Sequence, residues 1–283
     1  MRLSGVNGQV PSDFLSALGA LAVADKVSPG TTLQFHENGA AELRHNHASD
    51  DDFRTDFDNE LRAVIAALAD ENNNKLVREH CTPPVDKWVE AQLDDWSTAP
   101  SVTPWSLTRL VDPTRPGGDK DKYASADLVL YSGGASIASL AKDAEQLVSD
   151  VSEISGSLID NTSFRMLSKS LWRYTSSAEM PVRNGVGDAT GVLALVGEVL
   201  ALLGAAMYHP RLSRQGGKKH FQWRLWYIPV GLLGASHLIK NSAYLDGEMA
   251  IPSSCKFVAD IVLVAKGDSR FSAPRVEQAN GND

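Results

Sequence analysis

Residues 11–45 read PSDFLSALGALAVADKVSPGTTLQFHENGAAELRH, and this stretch sets the fold class. Phe14, Leu15, Leu18, Leu21 and Ala22 recur at helical spacing, which predicts a helix over 11–27. Ser12 or Asp13 is the expected N-cap, and Pro29-Gly30 ends the helix. Two extended runs follow, 31–35 and 40–45, on either side of Glu37-Asn38-Gly39. Asn-Gly between extended runs is a hairpin signal, because glycine supplies the positive φ that a tight turn needs. A helix feeding a hairpin, with further helices and strands downstream, predicts an α+β fold with antiparallel sheet or sheets flanked by helices.

Working outward, residues 2–6 read as a short strand and 50–70 as a second helix. Asp50, Asp51 and Asp52 suit the positive end of a helix dipole, and Phe53, Phe57, Leu61, Val64, Ile65 and Leu68 form its apolar stripe. Asn72-Asn73-Asn74 breaks it, and Pro83-Pro84 precedes a short helix holding Trp88, Val89 and Leu93. A strand is expected at 105–111, then a polar connection over 112–123, DPTRPGGDKDKY. Residues 128–131 read as extended, 136–158 as one broken helix or two short ones, and 180–190 as loop. Residues 162–172 are ambiguous between strand and helix. A strand at 221–228, a helix at 230–239 and a last strand at 257–266 complete the pass. The expected division is an acidic α+β part over 1–111, a second α+β part over 124–273, and a disordered polar tail over 274–283. One continuous domain is the alternative.

The chain has 283 residues, 43% of them hydrophobic, so it can bury a sizeable core, which excludes wholesale disorder. Cys81 and Cys255 lie far apart with no CxxC, excluding a disulfide scaffold and a zinc ribbon. MRLSGVNGQV at the start carries no apolar signal region, so the expected compartment is the cytoplasm. The apolar run GVLALVGEVLALLGAAM at 191–207 sits at the short limit for a bilayer and holds Glu198 near its middle. It reads as a buried core helix.

Net charge is −8, which argues against nucleic-acid binding for the chain taken whole. Its distribution is uneven. Residues 1–100 carry 8 Lys/Arg against 17 Asp/Glu, whereas 201–240 carry 6 basic residues and no acidic one. A basic segment in an acidic protein still steers a polyanion locally.

Several patterns suggest chemistry and have simpler readings. His45 and His47 with Asp50, Asp51 and Asp52 are metal-ligand types, but no second ligand pair stands at metal spacing, so no metal is expected. His80-Cys81 are sequence neighbours, which rarely make a nucleophile–base pair. GxxxxGK[ST], GxSxG and HExxH are all absent. Asn184-Gly185-Val186-Gly187-Asp188 lacks the strand and third glycine of a dinucleotide site, and Ser132-Gly133-Gly134 reads first as a turn and second as an anion cradle. No cofactor is expected.

The most informative segment is 208–227, YHPRLSRQGGKKHFQWRLWY. Arg211, Arg214, Lys218, Lys219 and Arg224 interleave with Tyr208, Phe221, Trp223, Trp226 and Tyr227. Arg and Lys neutralise phosphates, and aromatic faces either stack on unpaired bases or pack a core. On a strand, Phe221, Trp223 and Leu225 share one face, and Gln222, Arg224 and Trp226 the other. The residues expected to contact nucleic acid are therefore Arg211, Arg214, Lys218, Lys219 and Arg224. Arg165, Lys169 and Arg173 form a second stripe if that stretch is helical, their simpler reading being a solvated face.

Two separated stretches together resemble a known family. PSDFLSALGAL at 11–21 is similar to the P-x-x-F/Y-L-x-A-L-G-x-L pattern of large-subunit-like proteins from type I-G (formerly I-U) CRISPR-associated systems. Ser170-Leu171-Trp172-Arg173-Tyr174, then LALLGAAMYHP at 200–210, then Phe221-Gln222-Trp223-Arg224-Leu225-Trp226 resemble that family's W-x-Y, L-A-x-x-G-L-x-x-x-P and F-x-W-P-L-W succession. Tyr131-Ser132-Gly133-Gly134 sits where the family carries an aromatic–Ser/Thr–Gly segment. Arg224 replaces the expected proline, Ala205 the expected leucine, and the chain is much shorter than the full large subunit. The resemblance implies a cytoplasmic, non-enzymatic subunit of an RNA-guided, DNA-targeting complex, with other subunits and guide RNA or target DNA as partners. A protein-only adaptor and a small-molecule enzyme using His45, His47 or the 50–52 aspartates are the alternatives.

Overall fold

The computed structural model describes residues 1–69, 145, 165–166, 192–193, 195–208, 212–240, 254–265 and 268–277. The elements expected at 83–93, 105–111, 128–131 and 180–190, and the connection at 112–123, lie outside these residues, as does all of 136–158 except Glu145, which is helical. Helices and antiparallel sheets make the fold α+β.

Strand β1 (Arg2–Asn7) leads into helix α1 (Pro11–Val27). The cap differs from expectation. Val10 takes the capping position in extended conformation with no side-chain cap, and Pro11 opens the helix, where its missing N–H leaves no orphan donor. Ser12 and Asp13 therefore fall inside the first turn, and the Asp13 carboxylate reaches back to accept the Asn7 backbone N–H at 3.1 Å. The helix is also buried all round rather than on one face, every residue from Pro11 to Asp25 being covered.

Strands β2 (Thr32–Phe35) and β3 (Ala40–Arg44) form the expected hairpin, with Gly39 at φ 85 in the turn. β1 lies antiparallel on the far side of β3, so β1 and β2 run parallel with β3 between them. Leu3, Leu33, Phe35, Ala41 and Leu43 are buried. Helix α2 (Asp50–Ala69) begins at Ser49, whose Oγ accepts the Asp52 N–H at 3.1 Å. Its stripe of Phe53, Phe57, Leu61, Val64 and Ile65 is buried, and the Leu68 side chain lies outside the described ones.

The apolar run divides. Strand β4 (Arg165–Met166) pairs with β5 (Val192–Leu193), and helix α3 (Leu195–Tyr208) follows. α3 packs on α1 so closely that a Cβ on Gly204 would stand 2.1 Å from the Leu15 carbonyl oxygen, and one on Gly19 2.0 Å from that of Leu200. Val196, Val199, Leu200, Ala201 and Leu203 are buried, as expected of a core helix. No described helix is long and apolar enough to cross a membrane.

The larger sheet is built from β6 (Leu212–Gln215), β7 (Lys218–Trp226), β9 (Ser254–Ala265) and β10 (Asp268–Phe271), in the order β10-β9-β7-β6. Val230–Gly231 is not helical as expected but forms β8, which pairs with β2 before helix α4 (Leu232–Lys240). β9 is not the last strand. β11 (Arg275–Glu277) pairs antiparallel with it, so the expected disordered tail over 274–283 is wrong for these residues. Main-chain pairing needs no apolar alternation, and two ion pairs anchor the strand: Arg275 to Asp260 and Lys256 to Glu277, both at 2.7 Å.

One hydrophobic cluster draws on both expected parts, taking Leu3, Phe35 and Phe57 from the first and Leu200, Trp223 and Phe257 from the second. Phe14 marks the join, with ring centroids 5.6 Å from Phe35, 6.2 Å from Trp223 and 5.9 Å from Trp226. Among the described residues the two parts thus share one core.

Candidate nucleic-acid interface

β6 and β7 form a hairpin closed by Gly216 and Gly217, both at positive φ (58 and 78), the left-handed region that glycine occupies without penalty. Among the described residues no atom lies within 4 Å of where either Cβ would sit, so both turn positions are open. Lys218 and Lys219 follow immediately and are exposed. Arg214 occupies the register position opposite Lys219, and Gln215 the position opposite Lys218. Alternation along β7 places Lys218 and Lys219 on opposite faces of the sheet, so the tip offers charge to both sides.

Deeper in β7 the sequence expectation divides. Phe221, Trp223 and Leu225 are 0–1% exposed, and Trp226, expected on the opposite face, is equally buried. The indole N–H groups are committed internally: Trp223 donates to the Gly8 carbonyl and Trp226 to that of Leu33, each at 2.9 Å. The rings of Phe221, Trp223 and Trp226 are core and not available to stack on a base, and Tyr227 is partly buried against the same core.

Arg224, expected to contact nucleic acid, is buried instead. It is 8% exposed, and its guanidinium Nη1 donates to Ser254 Oγ at 3.4 Å. Trp226 and Val258 on the same face are 1% and 2% exposed, so the position that alternation assigns to a polar face is covered. Arg224 also stands opposite Lys256 in the register, and Glu277 on β11 supplies that row with the counter-charge to Lys256. Of the other expected residues, Arg211, Lys169 and Arg173 lie outside the described residues, and the Arg214 side chain does too. Arg165 is on strand β4 rather than on a helix.

Sequence reading missed a polar network one strand from the hairpin. His220 Nδ1 lies 2.8 Å from Asp260 Oδ1, and the same oxygen accepts Arg275 Nη1–H at 2.7 Å. Partial burial pushes the Asp260 carboxyl up, but hydrogen bonds from Arg275 and His220, with their charges, outweigh it and hold it below the usual carboxylate range. No local signal marks Asp260, because its partners come from strands 40 residues before and 15 after it.

The alternative sites are occupied by protein partners. His45 stacks on Phe53 at 3.8 Å, and its Nε2 lies 2.9 Å from Asp50 Oδ1. Burial lowers its pKa, against the raising effect of Asp50. His47 Nε2 lies 3.1 Å from Asp56 Oδ2, so the two rings address different carboxylates of α2. Among the described residues no three His, Cys, Asp or Glu side chains converge as a metal site. Cys255 is partly buried, and burial raises its pKa, which disfavours the reactive thiolate. Cys81, His80, Ser132-Gly133-Gly134 and residues 184–188 lie outside the described residues. No family model and no curated protein matches the chain.

Proposed function

We propose that this protein is a non-catalytic, nucleic-acid-associated subunit of a CRISPR type I-like, RNA-guided defence complex, and that it holds phosphate backbone with the β6–β7 hairpin. The observation that supports this reading is the hairpin tip. Two consecutive exposed lysines follow an unobstructed Gly-Gly turn, with Arg214 opposite Lys219, in a segment with no acidic residue from 201 to 240. Lysines whose aromatic neighbours on β7, Phe221, Trp223 and Trp226, are buried suit backbone contact, which positions a nucleic acid without reading its sequence. The resemblance of an ordered series of motifs to those of the large-subunit-like proteins supports the complex. The acidic first 100 residues then face protein partners or solvent.

The test is affinity isolation of the full chain from its native cells, with sequencing of nuclease-sensitive material and identification of co-isolated chains. Short RNAs of repeat–spacer type together with several stoichiometric partner proteins are expected. Stoichiometric protein partners with no nucleic acid above background would replace the reading with that of a protein-only adaptor.

A further inference from the structure

The larger sheet carries cations beyond the hairpin, and its register places them beside it. Lys219 pairs with Ile261, which sets Lys218 level with Val262, and Val262 pairs with Arg270 on β10. Continued one position past the last β7–β9 pair, the register brings Gln215, Lys218, Val262 and Arg270 level across the sheet. Lys218 and Arg270 are separated by one strand, or about 10 Å at ordinary strand spacing. Val262 between them is 39% exposed, so the row is open to solvent at its centre.

The same face closes toward its other end, where Val258, Arg224 and Lys256 are 2–8% exposed. Arg275 enters from β11 opposite Val258, yet its side chain is 54% exposed and its guanidinium reaches Asp260, toward the hairpin end. An arginine fork offers five N–H donors, of which this contact uses one. On β9 Asp260 holds the register position between Val262, which pairs with Arg270, and Val258, which pairs with Arg275, and as an ionised carboxylate it repels an anion that approaches there.

We infer that the phosphate-contacting surface extends from the hairpin across the sheet to Arg270 and Arg275, and that Asp260 sets its strength by opposing them. This rests on the proposed role of the hairpin. It assigns binding to two arginines far from the basic 201–240 segment, and it gives one carboxylate an effect of opposite sign.

The experiment is a salt series of full-length protein binding a fluorescein-labelled mixed-sequence oligonucleotide, both single-stranded and annealed. The variants are Lys218→Ala/Lys219→Ala, Arg270→Ala/Arg275→Ala and Asp260→Asn, with Arg270→Ala alone in case loss of Arg275 loosens β11. Each arginine removed should lower the log–log salt slope by about 0.7–0.9. Asp260→Asn should tighten binding at every salt concentration, a gain that a merely structural role for this carboxylate would not produce. Flattening by the lysine variant alone, with the arginine variants and Asp260→Asn unchanged from wild type, overturns the extension and leaves the hairpin reading standing. No change in any variant removes both.

Discussion

Trp223 distinguishes a core strand from a stacking platform. Its indole is 1% exposed and lies parallel to Phe221 and Phe257, with centroids at 5.0 and 5.7 Å. Trp223→Ala removes that volume from a packed interior, which costs about 3–5 kcal/mol. It also strands the Gly8 carbonyl, which the indole N–H satisfies at 2.9 Å, for about 1 kcal/mol more. The expected loss of about 4–6 kcal/mol takes most of the stability of a domain held by about 5–15 kcal/mol. Trp223→Phe keeps a ring in the stack but loses the donor, and should cost about 1–3 kcal/mol. Urea unfolding followed by circular dichroism measures both, with the slope m compared to confirm that the same surface is exposed. A midpoint unchanged in Trp223→Ala, with oligonucleotide binding lost, would refute the reasoning, because an indole that stacks on bases leaves the fold intact when removed.

Gly204→Ala should force α1 and α3 apart, since its Cβ would meet the Leu15 carbonyl oxygen at 2.1 Å; a loss of about 1–3 kcal/mol in urea unfolding is expected, and an unchanged midpoint would contradict the close packing. Two aspartates should give stability–pH curves of opposite sign. Burial raises the folded pKa of Asp25 above 3.8, so its ionised form costs stability at neutral pH, and Asp25→Asn should raise the melting temperature there, with the gain fading on acidification toward 3.8. Asp260 is held below 3.8, so it contributes stability above that value which is lost as pH falls through its folded pKa; Asp260→Asn should lower the melting temperature at neutral pH, with the difference vanishing in acid. Matching signs for the two variants would contradict the burial and pairing described for these groups.

What the sequence made legible was local. The bounds of α1 and the β2–β3 hairpin follow from Pro11, from the spacing of Phe14 to Ala22 and from Gly39, all of which act within a few residues. The burial of α1 on every side was not legible, because it depends on Gly19 and Gly204 meeting backbone from helices nearly 200 positions apart. Arg224 was misplaced for a related reason. Alternation assigns it to the polar face, but only the tertiary burial of Trp226, Val258 and Lys256 shows that this part of the face is covered. β11 carries no strand pattern, since Arg275, Val276 and Glu277 are all exposed, and it is held by register and ion pairs to β9. Lys218 and Lys219 were legible because a Gly-Gly turn fixes the tip whatever lies beneath it. Arg270, Arg275 and Asp260 were not, because only the cross-strand register brings them near that tip.

In the proposed function the hairpin tip holds phosphate through charge. The direct measurement is the salt dependence of oligonucleotide binding by wild-type protein and Lys218→Ala/Lys219→Ala. Both lysines are exposed and contribute little to the fold, so the melting temperature should be unchanged. Binding should weaken, and the log–log slope should fall by about 1.4–1.8, because two phosphates are no longer neutralised. An affinity and slope equal to those of the wild type at every salt concentration would contradict the account.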